Sequence, residues 1–519
     1  MRFFGEPIEF EKQAGIGSPV WRGRADGGEA LQAFAVAAHR NGGRFAALWG
    51  EDRRKCGEGF RLHGAFGLDM GHAWLGLDLP AENPVYPDLA GIFPAANRMQ
   101  RATRDLVGIA TGGGDQRPWL RHGAWPADWF PLRHDAGDGR DFANAPSDYD
   151  FVQVGGEGAH EIPVGPIHAG IIEPGHFRFS VIGERLLRLE QRLGYQHKGV
   201  EKLFIGMNLA DGARLAGRIS GDSTCAYAWA YASAVEAACG ISPPPRALLL
   251  RALMLERERV ANHLGDLGAL GNDAALAFGF SQFMRLKEDW LRLNAKFFGH
   301  RFMMDRIVPG GTALDLEAPA LSAIVEQCDA VGREVKELRK IYDEHAGLQD
   351  RFLTTGTIDA DLARELSLSG VAARATGLIL DARVHRQGYT PPAPWAMLGV
   401  RPATDERGDV AARAAVRFAE IFESLRLLRE LAVGLPDSEL RVEVPPLSGG
   451  SGLGVIEGWR GEVLVGVAFD DGGKLARVHP HDPSWQAWPA LEHAVMKDIV
   501  PDFPLINKSF NLSYSGADI

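Results

Sequence analysis

The chain has 519 residues, 45% of them hydrophobic and 24% charged, ordinary values for a globular protein with more than one core. With 56 basic against 67 acidic residues the net charge is −11, which speaks against nucleic acid as a partner held by global attraction. The first residues carry Glu6, Glu9 and Glu11 where a signal peptide would need an apolar core, and no run approaches the ~18 apolar residues of a membrane span. Membrane contact is therefore expected through partner chains.

The first 130 residues mix short strand-like runs, such as Phe45-Ala46-Ala47-Leu48-Trp49, with helical stretches such as 27–41, the pattern of a small α+β domain. Residues 134–148, rich in Asp, Gly, Ala and Asn without an apolar period, read as a linker, and 151–170 as strand punctuated by Gly and Pro. From 183 to 435 the period is helical, with long helices expected over 246–270 and 320–346. In 246–270, Leu249, Leu250, Leu253, Met254, Val260, Leu264 and Leu267 form an apolar face. The charges Arg251, Glu256, Arg257, Glu258 and Arg259 fall largely between them, and Pro243, Pro244 and Pro245 fix the start. Strand patterns return between 440 and 478 in three pieces, LRVEVPPL, EVLVGVAF and KLARVH, joined by turns such as Asp470-Asp471-Gly472-Gly473. A last helix is expected over 489–500. Cys56, Cys225, Cys239 and Cys328 stand singly, which suits a reduced compartment and offers no iron–sulfur pattern. All four are expected as buried small hydrophobes.

Three segments carry a family resemblance. Gln100-Arg101-Ala102-Thr103-Arg104-Asp105-Leu106-Val107-Gly108-Ile109 resembles the E-R-E-x-x-D-L-F-G-I signature of the small hydrophilic subunit of respiratory complex I. Val164-Gly165-Pro166-Ile167-His168, then Glu173-Pro174-Gly175-His176-Phe177-Arg178 and Gln196-His197-Lys198-Gly199-Val200-Glu201-Lys202-Leu203, resemble the V-G-P-x-H, E-P-G-H-F-R and H-R-G-x-E-K-L run of formate-hydrogenlyase-type large subunits. Arg218-Ile219-Ser220-Gly221-Asp222-Ser223 is similar to the R-V-C-G-I-C of nickel–iron hydrogenases. On these segments the chain is identified as a member of the group 4 membrane-bound hydrogenase large-subunit family, homologous to the fused hydrophilic and quinone-site subunits of complex I.

The resemblance implies an α+β fold: residues 1–135 as the complex I hydrophilic-subunit-like domain, 136–150 as linker, and 151–519 as a mainly helical hydrogenase-large-subunit-like domain with antiparallel β elements. It also implies four nickel-ligand positions, occupied here by Ser220, Ser223, Ser513 and Gly516. Nickel and iron are held by soft thiolates, and neither a serine hydroxyl nor glycine replaces them, so no metal is expected. The quinone-binding histidine of complex I maps to His176 and its tyrosine to Gly221. Glu201 matches the glutamate that passes protons in hydrogenases, a role suited to a carboxyl of raised pKa.

The residues themselves leave alternatives open. His176 is either a ligand donor or a turn histidine satisfied by carbonyls, and Glu201 either a proton carrier or the ion-pair partner of Lys198 or Lys202. Ser220, Asp222 and Ser223 form a polar cluster for a quinone or other polar ligand, or a solvated remnant. Arg306, Gly310, Gly311 and Asp315 match a family turn whose glycines serve backbone geometry. His263 and Asp266 read as helix-packing polar residues, with a role in a cavity as the alternative. As a whole the chain is expected to be a subunit of a hydrogenase-like or NADH:quinone oxidoreductase-like electron-transfer complex. It would lie peripherally on the cytoplasmic face of the membrane, beside an iron–sulfur small subunit and antiporter-like membrane subunits, with quinone as the candidate ligand. The alternative is a non-catalytic scaffold coupling those partners, with an active hydrogenase far behind.

Overall fold

The computed structural model describes residues 1–519 except 16, 138, 140–141, 143–148, 170–171 and 386–388. Most of the expected linker, and the end of the strand-like piece at 151–170, therefore lie outside the described residues. The N-terminal part is a five-stranded sheet, order β1-β2-β5-β4-β3, made of β1 (Phe10–Lys12), β2 (Val20–Ala25), β3 (Arg44–Asp52), β4 (Phe60–Leu68) and β5 (Gly71–Leu79). All its pairings are antiparallel except β2 with β5. Helix α1 (Gly28–Arg40) buries Leu31, Phe34, Ala35 and Ala38, spaced for one helical face, among Phe10, Phe66 and their neighbours. Two-residue strands β6 (Val85–Tyr86) and β7 (Ala110–Thr111) flank α2 (Ala96–Val107), which carries the complex I-like signature. There Asp105 accepts the backbone N–H groups of Trp119 and Leu120, at 2.6 and 2.8 Å.

A second antiparallel sheet, β10-β9-β8, joins β8 (Ala159–Val164), β9 (His176–Ile182) and β10 (Arg185–Arg192). The helical region thus begins after residue 192 and not at 183. It opens with the short α3 (Val200–Phe204) and α4 (Leu209–Ala216), followed by α5 (Thr224–Cys239), α6 (Pro245–Asp273), α7 (Ala277–Phe298), β11 (Ile307–Val308), β12 (Gly311–Thr312) and α8 (Ala318–Glu344). Short helices α9 (Ala346–Phe352), α10 (Ala360–Glu365), α11 (Gly370–Arg374) and α12 (Trp395–Leu398) lead to α13 (Val410–Val433).

The third sheet holds β13 (Ser451–Glu457), β14 (Glu462–Phe469) and β15 (Leu475–His481) in sequential antiparallel order. β13 escaped the strand pattern because its Gly452 and Gly454 interrupt the apolar run. Those glycines are what the packing needs: a Cβ at either would run into the carbonyl oxygens of Ala234 and Ala230 on α5. The alanine-rich α5 and the glycines of β13 let helix and strand meet backbone to backbone. The run at 440–447 makes only an isolated bridge, Gly311 to Arg441. The last long helix is α14 (Ser484–Ala494), several residues earlier than expected, with Pro489 inside it. After it come α15 (Phe503–Phe510) and α16 (Tyr514–Ala517), whose residues are buried.

Helix α6 starts at Pro245, as the proline run implies, but it is not a two-faced surface helix. Arg251, Glu256, Arg257 and Arg259 are 0% exposed. They survive burial because fixed partners replace water. Arg251 forks onto Glu236; Glu256 meets Arg383 at 2.7 Å and the Ser424 hydroxyl at 2.6 Å; Arg259 reaches Glu420 at 3.3 Å. Arg374 then joins Glu420 to Glu457, at 2.7 and 2.8 Å. His263 and Asp266 pack as expected, on Glu420 (2.7 Å) and Arg417 (2.8 Å). Of the cysteines, Cys225 and Cys328 are buried, Cys239 is half-buried, and Cys56 is exposed in a turn, contrary to expectation.

Candidate functional site

Three loops meet at the N-terminus of α5. The turn from Arg218 to Ser223 precedes that helix, the tip of the β13–β14 hairpin brings Trp459 and Arg460, and the tail brings residues 511–516. Asn511 takes the left-handed conformation (φ 47°) that ends α15, and Ser513 then caps α16, its Oγ accepting the Gly516 N–H at 2.9 Å. Ser220 Oγ lies 3.0 Å from Ser513 Oγ, across 293 positions of sequence. All four positions of the expected ligand set, Ser220, Ser223, Ser513 and Gly516, therefore share one cluster.

Asp222 organises it. Its Oδ1 accepts from Ser220 Oγ (2.8 Å), Ser223 Oγ (3.3 Å) and Arg460 Nη1 (2.8 Å), and its Oδ2 from Arg460 Nη2. Its carbonyl accepts from Asn262 Nδ2 (2.7 Å) and Trp459 Nε1 (2.9 Å). Arg460 also donates from Nε to Asn511 O at 2.6 Å and lies over the Trp459 ring, 4.0 Å from its centroid. Desolvation opposes the charge on Asp222, but Arg460 and the two hydroxyls outweigh it and hold the carboxyl below its ordinary range. The three serines are buried, whereas 37% of the Asp222 side chain stays accessible.

These residues do not fit a four-thiolate metal centre. Three positions offer hydroxyls already engaged in hydrogen bonds, and the fourth has no side chain. A Cβ at 516 would also stand 2.6 Å from Asp482 Oδ2, an atom fixed by the Tyr227 hydroxyl at 2.8 Å. Among the described residues no group of three or more His, Cys, Asp or Glu is arranged to hold a metal ion.

Glu258 lies beside the cluster without a cationic partner among the described residues. Its carboxyl accepts the N–H groups of Cys225 (2.6 Å) and Ala226 (3.2 Å) at the start of α5. Burial pushes it up to about 8, despite those two bonds and with Asp222 adding to the rise.

Glu201 stands apart, 3% exposed on α3, and its partners are on β15, not the expected Lys198 or Lys202. Arg477 Nη1 is 2.8 Å and His479 Nδ1 2.7 Å from its Oε1. Burial raises a carboxyl, but here Arg477 and then His479 overcome it and hold Glu201 at about 2, the reverse of the raised pKa expected. Lys198 instead donates to Ile219 O at 3.4 Å. His176, at the start of β9, faces Gly165 O at 3.3 Å from Nδ1 and accepts from Arg178 Nε at 3.4 Å, with burial lowering its pKa. Its hairpin touches the tail through Glu173, which accepts from Ser515 Oγ at 2.7 Å. No hydrogen bond joins the described His176 to the serine cluster. Gly310 and Gly311 serve backbone geometry, since a Cβ at either would strike the carbonyls of Val442 and Leu440. Asp315 pairs with Arg246 at 2.8 Å.

Sequence reasoning missed Arg460, Glu258, Asp482, Arg477 and His479. For His479 a signal was present: His479 and His481 stand two apart in a strand and so share a face. Arg460 is a single arginine in a hairpin turn, which no pattern distinguishes from a solvated one.

The family described as respiratory-chain NADH dehydrogenase, 49 Kd subunit, matches residues 273–448, and the one described as the 30 Kd subunit matches 29–140. Formate hydrogenlyase subunit 5 of Escherichia coli (strain K12) is 30% identical over 490 residues, 92% of this chain and 85% of that one. Hydrogenase-4 component G of the same strain is 29% identical over 489 residues, 92% and 84% of the two chains. Among solved structures, a chain of the membrane-bound sulfane sulfur reductase, an archaeal respiratory membrane complex, shares the fold at a TM-score of 0.65. It is 24% identical and covers 70% of this chain and 99% of its own. With this similarity along nearly its whole length, the chain belongs to the family of formate hydrogenlyase subunit 5, the large subunits of membrane-bound hydrogenases and their complex I-like relatives.

Proposed function

We propose that this chain is the metal-free large subunit of a hydrogenase-like or NADH:quinone oxidoreductase-like electron-transfer complex, and that the position of the nickel–iron centre has become a polar ligand pocket. The observation that carries the reading is the convergence of Ser220, Ser223, Ser513 and Gly516 around the Asp222–Arg460 pair. A quinone headgroup suits these groups: its carbonyl oxygens accept from Arg460, and the reduced form donates to Asp222 and to the serine oxygens. The accessible surface of Asp222 supports a ligand approaching from outside the cluster. In this reading residues 1–135 and 151–519 are the two fused domains, and an iron–sulfur small subunit supplies the clusters. Antiporter-like subunits supply the membrane contact on the cytoplasmic face, and Glu201 and His176 serve proton traffic. The second reading, a scaffold without chemistry, is favoured by the serine hydroxyls all having protein partners.

The test is binding of a short-chain quinone analogue to the purified complex, with Asp222→Asn, Arg460→Gln and His176→Ala. Saturable binding weakened by the first two substitutions supports the pocket. If no analogue binds and ion transport survives all three, the scaffold reading takes its place. Stoichiometric nickel in the isolated chain overturns both.

A further inference from the structure

Helix α7 packs along α6, and two glycines of α6 let it close in. A Cβ at Gly268 would stand 3.1 Å from Phe283 Cβ, and one at Gly265 would stand 2.6 Å from Lys287 Nζ. Gly268 thus makes room for a core ring, whereas Gly265 makes room for a charge. The Lys287 ammonium lies against bare backbone, where any larger residue would displace it.

This ammonium is unspent. Lys287 makes no hydrogen bond or ion pair with the described residues. Burial lowers its pKa, against Asp266 and Asp222, which both favour the charge. Neither carboxylate closes on it. Asp266 already accepts from Arg417 Nε at 2.8 Å and from Asn511 Nδ2 at 2.6 Å, and Asp222 is forked by Arg460. The neighbouring Lys508 is occupied too, donating to Asn511 Oδ1 at 3.2 Å. Lys287 alone keeps three N–H donors without acceptors, the costly state for a desolvated cation.

Two asparagines tie this place to the serine cluster. Asn262, which donates to the Asp222 carbonyl at 2.7 Å, lies three residues before Gly265 and so on the same face of α6, ~4.5 Å away along the helix axis. Asn511, whose amide holds Asp266, accepts Arg460 Nε at its carbonyl at 2.6 Å. Free space adjoins the Asp222–Arg460 pair: 37% of the Asp222 side chain is accessible, and a Cβ at Gly221 would meet nothing within 4 Å.

We infer that Lys287 is the second anchor of the ligand pocket, donating to one oxygen of a para-quinone whose other oxygen accepts from Arg460. The spacing of one helical turn along α6 matches a ligand with an oxygen at each end of a six-membered ring. Helix α7 then supplies the donor that the sequence lacks at Gly221, and the ligand class is a two-oxygen ring and not a single carbonyl. The inference rests on the pocket reading above.

Binding to the purified complex tests it with two probes, menadione, a para-quinone, and α-tetralone, which has fused rings of the same size and one carbonyl. Lys287→Met removes the ammonium and keeps the stem. Gly265→Ala keeps every charge and pushes the ammonium out of place. Both substitutions are expected to weaken menadione roughly 10- to 100-fold, the worth of a hydrogen bond to a charged group. Binding of α-tetralone, held by Arg460, stays as in wild type. If Lys287→Met leaves menadione binding unchanged while Asp222→Asn weakens it, the inference is overturned and the pocket reading stands. Equal weakening of both probes also overturns it, because the lysine then serves only the shape of the pocket. If Lys287→Met does not assemble into the complex, Gly265→Ala decides by the same comparison. A wild-type complex that binds neither probe overturns the pocket reading and this inference with it.

Discussion

Glu201→Gln is the most direct probe of the electrostatics where α3 meets β15. The carboxyl is 3% exposed and held at about 2 against an ordinary 4.5. A difference of that size, at ~1.4 kcal/mol per pH unit, is worth about 3 kcal/mol of folding stability. The sign follows from linkage: a carboxyl whose folded pKa is depressed stabilises fully above its unfolded value, and the stability is lost as pH falls from about 4.5 towards 2. Glutamine keeps the shape but not the charge. It leaves the buried Arg477 guanidinium with neutral acceptors alone, the new amide oxygen and the carbonyls of Gly50 and Val478. Breaking one side of a buried pair costs about 3–5 kcal/mol, consistent with the linkage figure. Urea unfolding of wild type and variant at a series of pH values between 7 and 3 measures both effects. The expected outcome is a variant less stable by about 3 kcal/mol at pH 7, with the gap narrowing below pH 4.5 as the unfolded wild-type chain takes up a proton that the folded carboxylate does not. A loss under ~1 kcal/mol at pH 7, the range of exposed pairs, or a gap that stays constant on acidification, refutes the reasoning.

Three further outcomes follow from the packing and the cluster. Gly454→Ala drives a methyl into the Ala230 carbonyl, and since both walls are backbone it costs about 3 kcal/mol, the top of the usual overpacking range. Thermal unfolding checks this, and an unchanged midpoint would mean that α5 and β13 are not packed at backbone contact. Ser220→Cys, Ser223→Cys, Ser513→Cys and Gly516→Cys together restore the thiolates but not the space, because Asp482 must move. The prediction is less than stoichiometric nickel by elemental analysis, rising when Asp482→Ala is added. Gly221→Tyr meets nothing within 4 Å at Cβ, so its folding stability stays within ~0.5 kcal/mol of wild type by urea unfolding. If the pocket accepts a quinone, this variant binds the analogue more tightly.

What was legible in the sequence divides by physical cause. Short motifs survive as ordered strings, and the two strings that carry Ser220 and Ser513 come together in the fold, with the hydroxyls 3.0 Å apart. The strand at 45–49, α6, α8 and β14 were readable because their apolar runs report a buried face. The environment of α6 was not, since charged residues at helical spacing look alike whether water or buried partners receive them. The partners of Arg259, Glu256 and Arg251 lie 161, 127 and 15 positions away. For Glu201, sequence proximity pointed to lysines one and three residues away, whereas the fold delivers Arg477 and His479 from a strand over 270 positions later. No local pattern sets the orientation of α3 against β15, and so that pairing was out of reach.

The charges of the serine cluster bear on the proposed metal-free reading. Four thiolates would place several negative charges at the start of α5 and would require cations to stay buried. Here the hydroxyls of Ser220, Ser223 and Ser513 are neutral, and Gly516 contributes nothing. Asp222 is matched by Arg460. Glu258, another carboxyl beside them, is pushed to about 8 by burial and is largely protonated at neutral pH. Asp482 is a third carboxyl at the edge, its Oδ2 2.6 Å from where a Cβ at 516 would stand. A carboxylate forked by an arginine suits an uncharged polar ligand better than a metal ion, which is why quinone binding and nickel content together discriminate among the readings.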